Sequence, residues 1–392
     1  MQSTQQIRVL LISSVTPSPS SAGQLVLNRH LVNEPSVDLH VMKTEPRKPR
    51  MGKLMRRLLG RLSRIEWLRP FCQDIMVLWR GGWIDAELPS PYVSEIPLVV
   101  MTVAHEEGCY AAMRYAERHN LPLVTFFHDW WPDMAEVHAP FRSMLERSFR
   151  QLYEESSLAL CVSEGMKKEL GAHANSQVLL PMPAEPEAKI TADVNNHGPS
   201  FKLIYAGNLK GYGAMLMKAL EVLKGHPHIR LEVRGDSSSW PDSIKNEMSE
   251  LGLLLPFVSR DELERWLKTA DAFLITQSFD EKNDRLMETN FPSKLVEYAQ
   301  YGKPLILWGP AKATGPQWAR NTGQGLVVDE ENPDHLRIVL ERLCNDRDEQ
   351  KGLSSAAGSA AELEFEPKRI QAEFLCHLNA LVSKTNRKRY DG

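Results

Sequence analysis

The sequence of 392 residues is short of cysteine: there are five, at Cys72, Cys109, Cys161, Cys344 and Cys376, with no C-x-x-C pair. An odd, scattered set argues against a structural zinc or a disulfide framework and fits buried free thiols. Charge is also nearly balanced, at -3 overall, which removes any general pull toward nucleic acid and leaves only local clusters to be read. Long apolar runs are missing as well. No stretch approaches the ~20 residues that span a bilayer. The start, Met1 to Ile7, is polar, and the run Val9 to Ile12 is too short for a signal-peptide core. A cytoplasmic protein is expected, or one held at the inner face of a membrane only by its surface. There is no G-x-x-x-x-G-K-[ST] segment, which argues against a P-loop hydrolase.

What the chain does contain is alternation. Apolar runs at 8–14, 75–79, 97–103, 121–127, 158–162 and 178–180 are separated by helical patterns such as 108–119 and 141–155. Continuous β-branched and leucine runs suit strands of a parallel sheet buried on both faces. The pattern breaks at 183–200, a polar stretch with prolines and a glycine, read as a linker. It restarts at 201–206 and continues through 229–233, 253–257, 272–276, 304–308 and 325–328. Two doubly wound α/β domains are therefore expected, over 1–182 and 201–365, with a final helix and basic tail over 366–392. In such folds ligands sit at the carboxyl ends of the strands.

The most specific segment is Asn290-Phe-Pro-Ser-Lys-Leu-Val-Glu-Tyr-Ala-Gln-Tyr-Gly-Lys-Pro-Leu-Ile306. Phe291-Pro292-Ser293 is a turn opening a helix, whose start offers free N–H groups to a phosphate. Lys294 adds a point charge, and Glu297, three residues on, shares its face. A capped helix with an ion pair explains the same residues. Ile204 to Gly213 reads as strand, Gly-rich turn and helix; Gly207 would let backbone approach a diphosphate, with Asn208 and Lys210 beside it. Arg234 stands at the end of the next strand. Pro256 to Leu263 carries Val258 and then a capping pattern from Ser259 to Glu262. In the first half, His128 and Asp129 end a predicted strand, with His105 a weaker candidate after the preceding one. Gly23 lies in the Pro- and Ser-rich loop after the first strand.

This set, in this order, resembles GT-B glycosyltransferases, especially the retaining enzymes of glycosyltransferase family 4. The resemblance runs from Arg8 to about Val382. It implies two Rossmann-like domains facing across a cleft and a C-terminal helix that crosses back to the N-terminal domain. It also implies a hexose donor linked to UDP or GDP, transfer with retention, and no metal or other cofactor. No D-x-D pair is placed to hold a metal. Glu297 matches the ribose-binding Glu, while Thr289 stands where the family has an acidic residue against the sugar. Asn290, Phe291, Pro292 and Ser293 fall in the donor signature. Asn208 takes the usual Arg place, and Arg234 is expected to supply the missing charge. Val258 falls in the loop that reads the base, Gly23 matches a close-approach glycine, and His128 the position beside the donor sugar, with Asp129 orienting it or touching acceptor. His128, Asp129 and Lys294 are the expected catalytic residues. An epimerase of nucleotide sugars or a non-catalytic glycan-assembly protein fits the same architecture.

One feature lies outside that signature. Lys43 to Arg69 holds ten Lys or Arg against two Glu, with apolar residues at helical spacing between Lys53, Arg56, Arg57, Arg61 and Arg64. A basic amphipathic helix of this kind suits an anionic membrane surface, and family enzymes often reach lipid-linked acceptors in this way. No aromatic stacking platform accompanies it, so nucleic acid is not an expected partner.

Overall fold

The computed structural model describes residues 6–19, 22–32, 34–43, 57–79, 98–106, 108–184 and 200–390. The chain divides into two compact units. One comprises residues 1–182 with 368–392, and the other residues 183–367. Most of the expected linker, 185–199, lies outside the described residues, as do Lys53 and Arg56.

The first unit is built on a six-stranded parallel sheet in the order β2-β1-β3-β4-β5-β6. Its strands are β1 (Ile7–Ser13), β2 (Val37–Lys43), β3 (Leu98–Val103), β4 (Leu123–Phe127), β5 (Leu158–Cys161) and β6 (Ser176–Val178). The apolar runs of β1, β3, β4 and β5 are almost wholly buried, as strands covered on both faces must be. One face packs against the last helix, Pro367–Tyr390. Its Ile370, Phe374 and Leu378 join Val9, Leu11, Met101, Phe126 and Leu160 in one core.

The second unit repeats the theme with β7 (Phe201–Gly207), β8 (Ile229–Gly235), β9 (Leu254–Leu255), β10 (Ala272–Thr276), β11 (Leu305–Trp308) and β12 (Leu326–Val328). Their order is β12-β11-β10-β7-β8-β9, again all parallel. In both sheets the strand order reverses beside the first strand, between β1 and β3 and between β7 and β10. Such reversals open a crevice at the carboxyl ends. The expected α/β architecture of two Rossmann-like sheets is present.

Some expected elements differ. The run 75–79 is not a strand but the last half of a helix, Arg69–Trp79. Five apolar residues in a row fit either element, and Pro70 in the first turn favours the helix. The strand expected over 253–257 is pared to two residues, because Pro256 has no N–H to give to a ladder. The strand expected over 178–180 ends at Val178. β2 was not among the expected strands. Its alternating Val37-Asp-Leu-His-Val-Met-Lys43 is the pattern of an edge strand, half in water, rather than of a central one. The expected basic helix is described only from 57 to 62, and a turn follows it.

Candidate functional site

In the first unit a cavity of about 330 Å³ opens at the switch point. Ser14 and Val15 leave β1, His105 and Glu106 leave β3, His128 and Asp129 leave β4, and Gly23 and Gln24 belong to the helix that follows β1; all line it. The His128 ring stacks on Phe126, with centroids 5.6 Å apart and planes 9° apart. Its Nε2 is buried with no hydrogen-bond partner among the described residues. Burial, aided by nearby His30, pushes its pKa down to about 4, so the ring is neutral near pH 7. Glu106 adopts φ 52°, a left-handed conformation uncommon outside glycine. It is held there while the Cys109 thiol donates to its carbonyl at 3.0 Å and Ser14 Oγ donates to the His105 carbonyl at 3.4 Å. Glu106 Oε1 lies 3.8 Å from His105 Nε2, and Asp129 is exposed at the rim. A Cβ at Gly23 would touch only Val15, at 4.0 Å, so neither packing nor strain in the protein demands glycine there.

In the second unit the chemistry gathers where β7 and β8 end side by side, Gly207 in register with Gly235. A Cβ on Gly235 would stand 2.1 Å from the Gly207 carbonyl oxygen, which only glycine avoids. The helix Ser293–Ala299 is pinned to this end by Tyr298. Its hydroxyl donates to the Ala206 carbonyl at 3.1 Å and accepts from the Ala206 N–H at 2.8 Å. Lys294, one turn earlier on the same face, therefore falls across the strand end. Its Nζ sits 5.0 Å from the centre of the Tyr205 ring, a cation–π contact. Among the described residues no carboxylate pairs with it. The protein strips solvent from the amine and pushes its pKa down to about 8.

The other expected donor residues sit around this point with different duties. Asn208 Oδ1 accepts from the N–H groups of Lys210 and Gly211, at 2.9 and 3.1 Å, and so shapes the turn. Lys210 is paired with Asp236 at 3.0 Å; Ser238 and Lys210 together hold that carboxyl at about 2. The Arg234 guanidinium lies 4.7 Å over the Trp266 ring and donates to the Pro256 carbonyl, while its Nε is buried without a partner among the described residues. Arg234 thus braces the loop that carries Val258. Ser259 and Glu262 close the expected capping box. Phe291 packs at 6.1 Å from Phe365, Pro292 precedes the helix, and Ser293 begins it. Asn290 Oδ1 faces Gln277 Nε2 at 3.3 Å. Glu297 accepts from the Ala184 N–H at 3.3 Å. Thr289, expected beside the donor sugar, is 1% exposed, and its hydroxyl donates to the Arg285 carbonyl at 2.7 Å.

Two residues of this site were not singled out in the sequence. Tyr298 carries the signal of sitting four residues after Lys294. Gln277 is a buried polar residue directly after the apolar run of β10, and its carboxamide ties that strand end to the helix Asp284–Thr289 with its cap Asn290 and to the start of the helix Thr314–Thr322. Among the described residues no group of three His, Cys, Asp or Glu is placed to hold a metal ion.

Residues 188–359 match the family described as Glycosyl transferases group 1. No curated protein matches the chain by sequence. Among solved structures, sucrose-phosphate synthase from Thermosynechococcus elongatus is similar at TM-score 0.64 and 13% identity, over 97% of this chain and 100% of that one. HepE from Anabaena, solved with UDP and glucose, gives 0.61 at 13% identity, over 95% of this chain and 99% of that one. A UDP-forming trehalose-phosphate synthase from Burkholderia xenovorans, solved with glucose-6-phosphate, gives 0.58 at 11% identity, over 95% and 100%. At these identities the likeness speaks for the fold. The chain has GT-B architecture, and residues 188–359, within its second unit, match the Glycosyl transferases group 1 family.

Proposed function

We propose that the chain moves a hexose from a nucleoside-diphosphate sugar, UDP-linked before GDP-linked, to a saccharide or lipid-linked glycan in polysaccharide biosynthesis. The observation that carries this is the Lys294 amine, paired with no carboxylate among the described residues, lying over Gly207 at the end of β7. A diphosphate laid on the glycine would meet that amine without any side chain intervening. In transfer, the bond from the anomeric carbon to the diphosphate oxygen breaks and a bond to the acceptor oxygen forms. The acceptor proton passes to the leaving phosphate. Lys294 would stabilise the charge developing on that phosphate, which is where fixed charge contributes most. The neutral His128 ring would offer Nε2 to the donor sugar, Asp129 would meet the acceptor, and Gly23 would leave room for close approach.

Retention is what the resemblance to the family's retaining enzymes implies. No carboxylate stands at the family's sugar-contacting position to act as a nucleophile, and the phosphate itself can take the proton on the same face. A fixed lysine also offers a route without metal. UDP titrated into protein held in excess chelator should bind, and Lys294→Ala should weaken it at least about tenfold, or ~1.4 kcal/mol. Transfer assays with the matching donor, read by the anomeric configuration of the product, come next. UDP and GDP that both fail to bind would sink the donor reading. Inversion, or loss of transfer in chelator, would sink only the retaining or metal-free part.

A membrane surface as partner has its own support. Among the described residues Leu58, Ile65, Trp67, Phe71 and Ile75 are five of the twelve large apolar side chains that are exposed, and all fall in the stretch 57–79 with the exposed Arg57, Arg61 and Arg64. Scattered exposed apolar residues are ordinary, but a cluster beside bases suits an anionic lipid surface. No described helix is long and apolar enough to cross a membrane.

A further inference from the structure

The cavity of the first unit has a charge character of its own. Glu106 and Asp129 bring two carboxyl groups to it, from the ends of β3 and β4, that of Asp129 pushed above its ordinary range by burial, while His105 stands 3.8 Å from the Glu106 carboxylate and Ser14 and Gln24 add neutral hydrogen-bonding groups. His128 adds a neutral ring whose Nε2 is buried with no partner among the described residues. Among the described residues no Lys or Arg lines it. A carboxylate suits the paired hydroxyls of a sugar, from which it can accept two hydrogen bonds. The same carboxylate repels a phosphate, and like charges set against each other at a binding surface are a strong device for rejecting a wrong partner. Glu106 is also held in a left-handed backbone conformation at the cavity wall, an observed strain of the kind that collects at ligand sites. Holding its backbone there fixes where its carboxylate begins.

We infer that this cavity takes a hydroxyl-rich, unphosphorylated sugar as the acceptor end and rejects sugar phosphates, with Glu106 as the residue that sets the choice. The inference rests on the glycosyltransferase reading and narrows its acceptor. It separates this chain from the trehalose-phosphate synthase of the same architecture solved with glucose-6-phosphate. A lipid-linked glycan remains compatible when its sugar end enters the cavity and its phosphates stay outside.

The test is calorimetry on the full chain, with and without saturating UDP, using glucose, galactose and N-acetylglucosamine against their 6-phosphates. The neutral form of at least one pair should bind at least about tenfold more tightly than its phosphate, a difference of ~1.4 kcal/mol. Glu106→Lys should shrink or reverse that ratio, and Asp129→Asn, which leaves the strained position untouched, should shrink it less. A sugar phosphate bound as tightly as its neutral partner overturns the inference, as does a ratio unmoved in both variants or no neutral sugar bound at all. UDP binding in the same titrations keeps the two readings apart. With UDP bound and the sugar preference missing, only the acceptor inference falls. With UDP not bound, the donor reading falls, and the sugar titrations without nucleotide still decide this one.

Discussion

Lys294 crosses the end of β7 so closely that a Cβ on Gly207 would stand 2.5 Å from its Cε and 2.7 Å from its Nζ. Gly207 also holds φ 137°, where L side chains are strained. Gly207→Ala should therefore displace the amine and strain the turn at once. UDP affinity should fall about tenfold or more. In the double variant with Lys294→Ala the methyl has room, so the two losses should not add. Isothermal titration of the four proteins gives the cycle; strict additivity would mean the two residues do not act on one ligand.

The Lys294 amine, with a pKa near 8 in place of the ordinary 10.5, gives a pH signature. Its charged form, which a phosphate needs, is lost as pH rises through 8. UDP affinity should hold from pH 6.5 to 7.5 and then fall, by at most about tenfold per unit for one linked proton. The stability effect has the opposite sign. Between pH 8 and 10.5 the unfolded chain binds more protons at this residue, so its contribution to stability rises with pH there. Lys294→Met should bind UDP weakly with a flat profile over pH 7 to 9.5; a slope that survives in that variant would assign the proton elsewhere.

Much of this was legible beforehand, and the rest fails for physical reasons. Buried parallel strands announce themselves by continuous apolar runs, so β1, β3, β4, β7, β10 and β11 could be read directly. β2 could not, because an edge strand alternates like a surface element. The run 75–79 forms a helix where a strand is expected, because apolar content alone does not separate a buried strand from a helix. For the site, sequence spacing brought Lys294 to the right end of β7, but it could not say which neighbour would pin it. Glu297 looked like its facial partner at three residues, whereas Tyr298 at four makes the contacts to Ala206. Lys210 and Arg234 looked like spare charge. Only the fold reveals Asp236 beside the one and Trp266 beneath the other.

The exposed cluster over 57–79 predicts partition onto anionic vesicles. Trp67 is 72% exposed and Phe71 53%. Each apolar anchor and each nearby base adds on the order of 1 kcal/mol at such a surface. Co-sedimentation should show binding to vesicles containing phosphatidylglycerol, little binding to pure phosphatidylcholine, and loss in 0.5 M salt on the order of what screening demands. The variant Trp67→Ala with Arg61→Ala and Arg64→Ala should stay in the supernatant with its UDP affinity intact. Equal pelleting of wild type and variant would remove the membrane from the proposal.

Two desolvated histidines predict an acid limit to the first unit. His30 and His128 both flank Phe126, and burial lowers each to about 4 from 6.5. His30 Nδ1 meets Gln371 Oε1 at 2.8 Å, and Gln371 Nε2 donates back to the His30 carbonyl and to Glu34, tying the last helix to the sheet. Between pH 6.5 and 4 the unfolded chain binds more protons at both rings. Stability must fall as pH falls through that window, by up to about 1.4 kcal/mol per unit for each ring. Melting curves from pH 7 to 4.5 should show it. His128→Gln, which has nothing to protonate, should flatten the slope; an unchanged slope would mean that other groups govern the acid limit.

Gln277 gives the last prediction, because its carboxamide is buried at 1% exposure and every part of it is used. Oε1 accepts from the Gly315 N–H at 2.8 Å, while Nε2 points at the Met287 carbonyl, Asn290 Oδ1 and Thr314 Oγ1 at 3.3 to 3.4 Å. Gly309 and Gly315 are pressed so hard against it that a Cβ on either would come within 2.8 Å. Gln277→Leu keeps the bulk and leaves a buried N–H unsatisfied, which costs about 1–3 kcal/mol and should lower the melting temperature. A structural brace would show only that. Asn290, however, begins the segment that carries Lys294, so loosening it should also reach the ligand. UDP affinity measured well below the melting transition should drop several-fold, with Gln277→Met affected alike and Thr314→Val much less. A lowered melting temperature with UDP affinity unchanged would confine Gln277 to packing, and would leave Tyr298 alone in setting where the lysine falls.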